Sequence, residues 1–136
     1  MSDAFTVEVP VRYRDLDPMG HVNNGVYASY LEEARIAYIE SVLERGDETF
    51  TSVIANLEIT YRQSIELGDD PTVSLTVTEL GTTSCTMAHE FRVDGGVVAT
   101  AETTIVHVDP EEQKPTPIPE PIRERIREHE GLEASA

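Results

Sequence analysis

From Phe5 to Arg14 apolar and polar residues alternate with a period of two: Phe5, Val7, Val9, Val11 and Tyr13 share one face, and Thr6, Glu8, Pro10, Arg12 and Arg14 the other. That pattern predicts a half-buried strand, with Pro10 assigning it to a sheet edge or a bulge. From Asn24 to Arg45 the period lengthens. Tyr27, Tyr30, Leu31, Ala34, Tyr38 and Val42 form an apolar stripe, with Glu32, Glu33, Glu40 and Glu44 on much of the opposite side. This spacing predicts one long amphipathic helix, with Gly46 as its stop. Beyond it, Ser52–Ile65, Thr72–Leu80, Ser84–Val93 and Val97–Val108 alternate again and are rich in β-branched residues. The separators Gly81-Thr82-Thr83 and Asp94-Gly95-Gly96 are short enough for antiparallel hairpins. The tail is rich in proline from Pro110 to Pro121, and Ile122–His129 reads as a short polar helix.

One strand, one long helix and four strands joined mostly by tight turns predict an α+β domain covering residues 1–136. An antiparallel sheet of about five strands would curl around the helix, because a single helix covers only one face of such a sheet. The uncovered surface and the sheet edges favour self-association as a homodimer or homotetramer.

Composition narrows the function classes. Twenty-six acidic residues against ten basic ones give a formal net charge of −16, and Lys114 is the one lysine. A field of that sign repels phosphate backbones, so no nucleic-acid partner is expected. It fits a solvated, halophile-like acidic surface, and an anionic substrate would need a local arginine patch. Cys85 has no second cysteine to pair with, and no Cys/His cluster suggests a metal; no metal and no cofactor are expected. No apolar run reaches the ~20 residues that cross a bilayer, and the N-terminus lacks the basic and apolar regions of a signal peptide. The expectation is a cytoplasmic protein with no membrane partner.

The chemistry concentrates in Asp15-Leu16-Asp17-Pro18-Met19-Gly20-His21-Val22-Asn23-Asn24, which leads from the first strand into the helix. A helix N-terminus presents unpaired N–H groups and a partial positive charge, able to hold an oxyanion. Asp17 nearby is suited to attack a carbonyl or to activate a water. The same residues are also ordinary turn and cap formers: Asn23 or Asn24 suits the helix amides, and His21 suits a loop. The residues alone leave both readings open.

The run Val11–Tyr27, continued by Tyr30, Glu32, Ala34 and Arg35, resembles the signature region of hot-dog-fold acyl-CoA thioesterases. It is most similar to the 4-hydroxybenzoyl-CoA thioesterase-like group, with its D-x-D-x-x-G-H-V-N-N pattern; plant acyl-carrier-protein thioesterases carry a similar run. The resemblance implies a hot-dog fold and hydrolysis of an acyl-CoA thioester to a carboxylic acid and coenzyme A. It makes Asp17 the catalytic carboxylate, as nucleophile or as general base. It makes the Asn24 N–H the contact of the thioester carbonyl, with Gly25 contributing similarly. His21 and Asn23 would orient Asp17 or the attacking water. Asp15 reads as structural, and Tyr27 belongs first to the helix stripe, with substrate contact as its second role.

Arginine forks suit phosphates, so Arg62 and Arg92, with Arg12 and Arg14, are candidates for the coenzyme A phosphates, against surface ion pairing as the alternative. Gly81-Thr82-Thr83-Ser84 would present hydroxyls across a subunit interface or simply form a hairpin turn. Glu32 and Glu33 match the catalyst of a second thioesterase subgroup less well than Asp17 does, and read as solvated or interface residues. Arg123, Arg125 and Arg127 alternate with glutamates and read as a solvated face; His89 and His107 read as core or face residues, and Cys85 as a buried, unreactive thiol. A non-catalytic domain that binds acyl-CoA or another acyl thioester is the alternative function.

Overall fold

The structure, a computed structural model, describes residues 4–44 and 50–131. The elements run β1 (Phe5–Glu8), α1 (Val26–Tyr38), β2 (Ser52–Tyr61), β3 (Thr72–Leu80), β4 (Ser84–Val93), β5 (Gly96–His107) and α2 (Glu120–Glu130). The five strands form one sheet in the order β1-β3-β4-β5-β2. Every neighbouring pair is antiparallel. This is the α+β architecture expected from the strand and helix order, and it is the hot-dog fold that the resemblance implies.

Helix α1 lays Tyr27, Tyr30, Leu31, Ala34 and Tyr38 into the sheet's inner face, each at most 2% exposed. Burial of one such large apolar side chain is worth about 1.5–3 kcal/mol, so the stripe anchors the helix. The helix does not run on unbroken. Ile39–Leu43 form one π-helical turn, closed by the Glu44 N–H donating to the Ile39 carbonyl at 2.8 Å. The extra residue keeps Val42 and Leu43 buried. Arg45 and the Gly46 stop lie outside the described residues.

The first strand is shorter than its alternation predicts. The Val9 N–H still donates to the Pro71 carbonyl at 3.1 Å, but Pro10 has no N–H to continue the ladder. The chain then leaves the sheet and Tyr13–Asp15 make a 3-10 turn, so Tyr13, expected on the buried face, is 81% exposed. β2 likewise ends at Tyr61 and not at Ile65. There the N–H groups of both Arg62 and Gln63 turn onto the Val98 carbonyl, at 2.9 and 3.0 Å. At the β4–β5 hairpin, Asp94 and Gly95 take φ of 52° and 81°, which suits the Asp-Gly pair.

The core has two apolar halves. Leu75, Val77, Cys85, Met87 and Ile105 belong to one, and Val73, Phe91 and Ala99 to the other. On β4 and β5 the division falls at His89 and Thr103, both buried and hydrogen-bonded to each other. The tail closes the first half. Ile122 and Ile126 of α2 are fully buried there, so the polar helix of the sequence has an apolar edge. Its arginines are engaged: Arg123 donates to the Gly81 carbonyl, Arg125 to the Leu43 carbonyl, and Arg127 to Glu120.

Candidate active site

Asp-Pro-Met-Gly folds as a tight reversal. The Gly20 N–H donates to the Asp17 carbonyl at 3.0 Å and the Asp17 N–H to the His21 carbonyl at 2.8 Å. Gly20 sits at φ +83°, where a side chain would be strained. Asp17 Oδ1 accepts the N–H groups of Met19 at 2.9 Å and His21 at 3.2 Å. Turn chemistry therefore orients the carboxylate through one oxygen, while Oδ2 has no hydrogen bond among the described residues.

The loop is held at both ends. Asp15 is buried, accepting the Tyr30 hydroxyl at 2.7 Å and the Arg12 N–H at 2.9 Å. Burial raises its pKa, but those two donors and the charges of Arg12 and Arg14 outweigh burial and hold the carboxyl below its usual range. On the far side, the Val22 N–H donates to the Ile65 carbonyl at 2.7 Å, and His21 bridges to Glu66 with Nε2 3.8 Å from its carboxylate.

The helix opens with Asn23 as its cap. Its Oδ1 accepts the Gly25 N–H at 2.9 Å and its carbonyl accepts the Val26 N–H at 2.8 Å. The Gly25 amide is thus occupied, and the Asn24 N–H is left without a partner among the described residues.

A cavity of about 200 Å³ lies between this loop and the end of β2, lined by Asp17, His21, Val22, Asn24, Tyr27, Tyr61, Arg62, Gln63 and Ser64. Of the residues singled out in the sequence, it brings together Asp17, His21, Asn24, Tyr27 and Arg62. Asn23 and Gly25 stand behind it as cap and capped amide. Tyr27 is 2% exposed in the helix stripe and also lines the cavity. Arg62 makes no ion pair among the described residues, despite the abundance of carboxylates. Arg92 lies elsewhere, on the β4–β5 hairpin, donating to the Gly95 carbonyl and to Glu90 at 2.9 and 2.7 Å.

Gly81–Ser84 is a hairpin turn, closed by the Gly81 N–H donating to the Ser84 carbonyl at 2.7 Å, and the Ile118 N–H of the tail donates to the Thr82 carbonyl at 2.9 Å. His89 and His107 are buried and hydrogen-bonded. Burial pushes the Cys85 thiol up to about 12, which removes it as a nucleophile. Tyr61, Gln63 and Ser64 also line the cavity, and reading the sequence misses them. Their run, Tyr61-Arg62-Gln63-Ser64, ends a strand and carries no local signal; only the pairing of Val22 with Ile65 brings it to the loop.

An antiparallel five-stranded sheet packed on one long helix is the fold of the hot-dog thioesterases. A family model described as the thioesterase-like superfamily matches residues 11–126, and the chain belongs to that family. It is 30% identical to the long-chain acyl-CoA thioesterase FadM of Escherichia coli over 126 residues, 89% of this chain and 96% of that protein. Among solved structures, it is similar to a Thermus thermophilus thioesterase complexed with coenzyme A and zinc, at TM-score 0.84 and 41% identity over 93% of each chain. It is also similar to a predicted thioesterase from Bacillus stearothermophilus, at TM-score 0.84 and 28% identity over 93% of this chain and 96% of that one. No group of three or more His, Cys, Asp or Glu side chains able to hold a metal ion occurs among the described residues, nor does any helix long and apolar enough to cross a membrane.

Proposed function

We propose that the chain hydrolyses acyl-CoA thioesters to a carboxylic acid and coenzyme A, with Asp17 as the reacting carboxylate. The observation that carries this reading is that Asp17 and Asn24 line one cavity, the first with a free carboxylate oxygen and the second with a free N–H. The Asn24 amide, at the positive end of α1, holds the thioester oxygen as charge develops on it. Asp17 Oδ2 then attacks the carbonyl carbon to form an anhydride, or takes a proton from the attacking water. The thiolate of coenzyme A leaves in either case. Arg62, at the rim, takes a coenzyme A phosphate; the FadM relative and the coenzyme A complex of the Thermus protein support that choice of carrier.

The cavity is smaller than the ~300 Å³ at which ligand sites begin, so the substrate extends past this protomer. β2 is an outer strand of the sheet, with Val53 and Ile54 44% and 42% exposed. A second copy pairing along this edge completes the walls of the site, giving a homodimer.

Thiol release from short, long and aromatic acyl-CoAs tests the reading. Asp17→Asn is expected to lose on the order of 10²–10⁴ in kcat with the fold intact. Turnover at the wild-type rate would remove Asp17 from the mechanism. In the first route water then opens the anhydride, and a single turnover in ¹⁸O-water that leaves label in Asp17 requires that route, with water attacking the Asp17 carbonyl; label in the acid product alone fits either route.

A further inference from the structure

We infer that Tyr61 is a positioning residue that holds the peptide next to the oxyanion-binding amide, an inference that rests on the role proposed for Asn24. Tyr61 stands at the end of β2, 37 residues from Asn24, and its hydroxyl donates to the Asn24 carbonyl at 2.8 Å. Its ring meets Tyr27 edge-on, with centroids 4.9 Å apart and planes at 88°. Tyr27 is packed in turn against Phe91 in the core. The hydroxyl is thus aimed by a ring whose own position the core sets, although Tyr61 is 42% exposed.

Two peptides flank the Asn24 α-carbon. In the first, the Asn23 carbonyl accepts from Val26 and the Asn24 N–H is free. In the second, the Gly25 N–H goes to the Asn23 side chain, and the carbonyl of Asn24 goes to Tyr61. Three of the four polar groups are tied, and the fourth, without a partner among the described residues, is the one assigned to the oxyanion. The two ties through Asn23 both arise within the loop and move with it. The Val22–Ile65 bond anchors the loop two residues earlier, and of the three ties on these peptides Tyr61 is the one that comes from the sheet. An oxyanion donor works by being in place before charge develops, and a site must be held within about 0.5 Å to do so. Without the hydroxyl, the Asn24–Gly25 plane is free to rock about the Asn23 contact, and the neighbouring amide rocks with it.

Tyr61→Phe keeps the ring and its contact with Tyr27 and removes only the donor. With decanoyl-CoA as substrate, kcat is expected to fall about tenfold, the effect of one lost hydrogen bond, with KM unchanged. Binding of S-decyl-coenzyme A, a thioether with no carbonyl, is expected to stay at the wild-type Kd. A kcat within twofold of wild type would overturn the inference. So would a loss of kcat matched by an equal weakening of S-decyl-coenzyme A binding, which would make Tyr61 a wall of the cavity only. Should Tyr61→Phe not fold, Tyr61→Met is read by the same criteria. Asp17→Asn assayed alongside separates the two levels: if it retains turnover, the role of Asp17 falls while Tyr61 is still judged by its own kcat and Kd, whereas an inactive Asp17→Asn beside a fully active Tyr61→Phe removes the role of Tyr61 alone.

Discussion

His89 makes the acid stability of this protein calculable. It is 3% exposed where the two apolar halves of the core meet, with Nδ1 3.2 Å from the Ser74 carbonyl and Nε2 3.0 Å from the Thr103 hydroxyl. A carbonyl only accepts, so Nδ1 carries the hydrogen and Nε2 accepts from Thr103; the neutral ring is satisfied. Protonation adds a buried charge with no counter-ion among the described residues. Burial, with the Arg35 charge adding and the Ser74 contact opposing, lowers the His89 pKa from 6.5 to about 4. Between these values the unfolded chain binds a proton that the folded chain refuses, so the His89 contribution to stability falls as pH drops from 6.5 to about 4 and is level outside that window. At 1.36 kcal/mol per pH unit, the loss amounts to about 3 kcal/mol. Urea unfolding of wild type and His89→Gln across that range measures it, since the variant keeps the titration of every other group. The wild-type profile is expected to steepen relative to the variant's by that amount. Parallel profiles would refute the argument.

Tyr30→Phe leaves the buried Asp15 carboxylate one donor short and is expected to cost about 1–3 kcal/mol at neutral pH. Because the Asp15 pKa is depressed in the fold, that cost should shrink as pH falls through its titration, which denaturant melts at acid and neutral pH would show. Ile126→Ala in α2 is expected to lose about 2–5 kcal/mol by cavity formation, read as a lower urea midpoint; a solvated tail would lose almost nothing. The net charge of −16 predicts a Tm that rises with NaCl as self-repulsion is screened, and equal Tm at low and molar salt would count against it.

Local signals make most of the fold and part of the site legible. The stripe from Tyr27 to Tyr38 and the alternation of β3, β4 and β5 follow from residue spacing, because each face is simply wet or dry. The Asp17 loop is legible for a related reason: Asp, Pro and Gly at those positions form the turn that also holds the carboxylate. Pro10 marks a sheet edge, yet the alternation continues past it to Arg14 while the strand does not. Periodicity does not register a missing hydrogen-bond donor.

Long-range pairings are not legible. Arg62 and Arg92 look alike in the sequence, but β2 ends beside the loop while Arg92 faces its own hairpin glutamate. The arginines of α2 read as solvated because the acceptors of Arg123 and Arg125, the Gly81 and Leu43 carbonyls, lie 42 and 82 residues away.

The amino-acid order by itself determined the elements, the buried face of α1, and which carboxylate sits in the turn ahead of it, since these depend on contacts within a few residues. The tertiary structure alone decided which arginine reaches the cavity and that Tyr61 holds the Asn24 peptide. Those outcomes depend on where separate strands end in space, and chain spacing carries no measure of that.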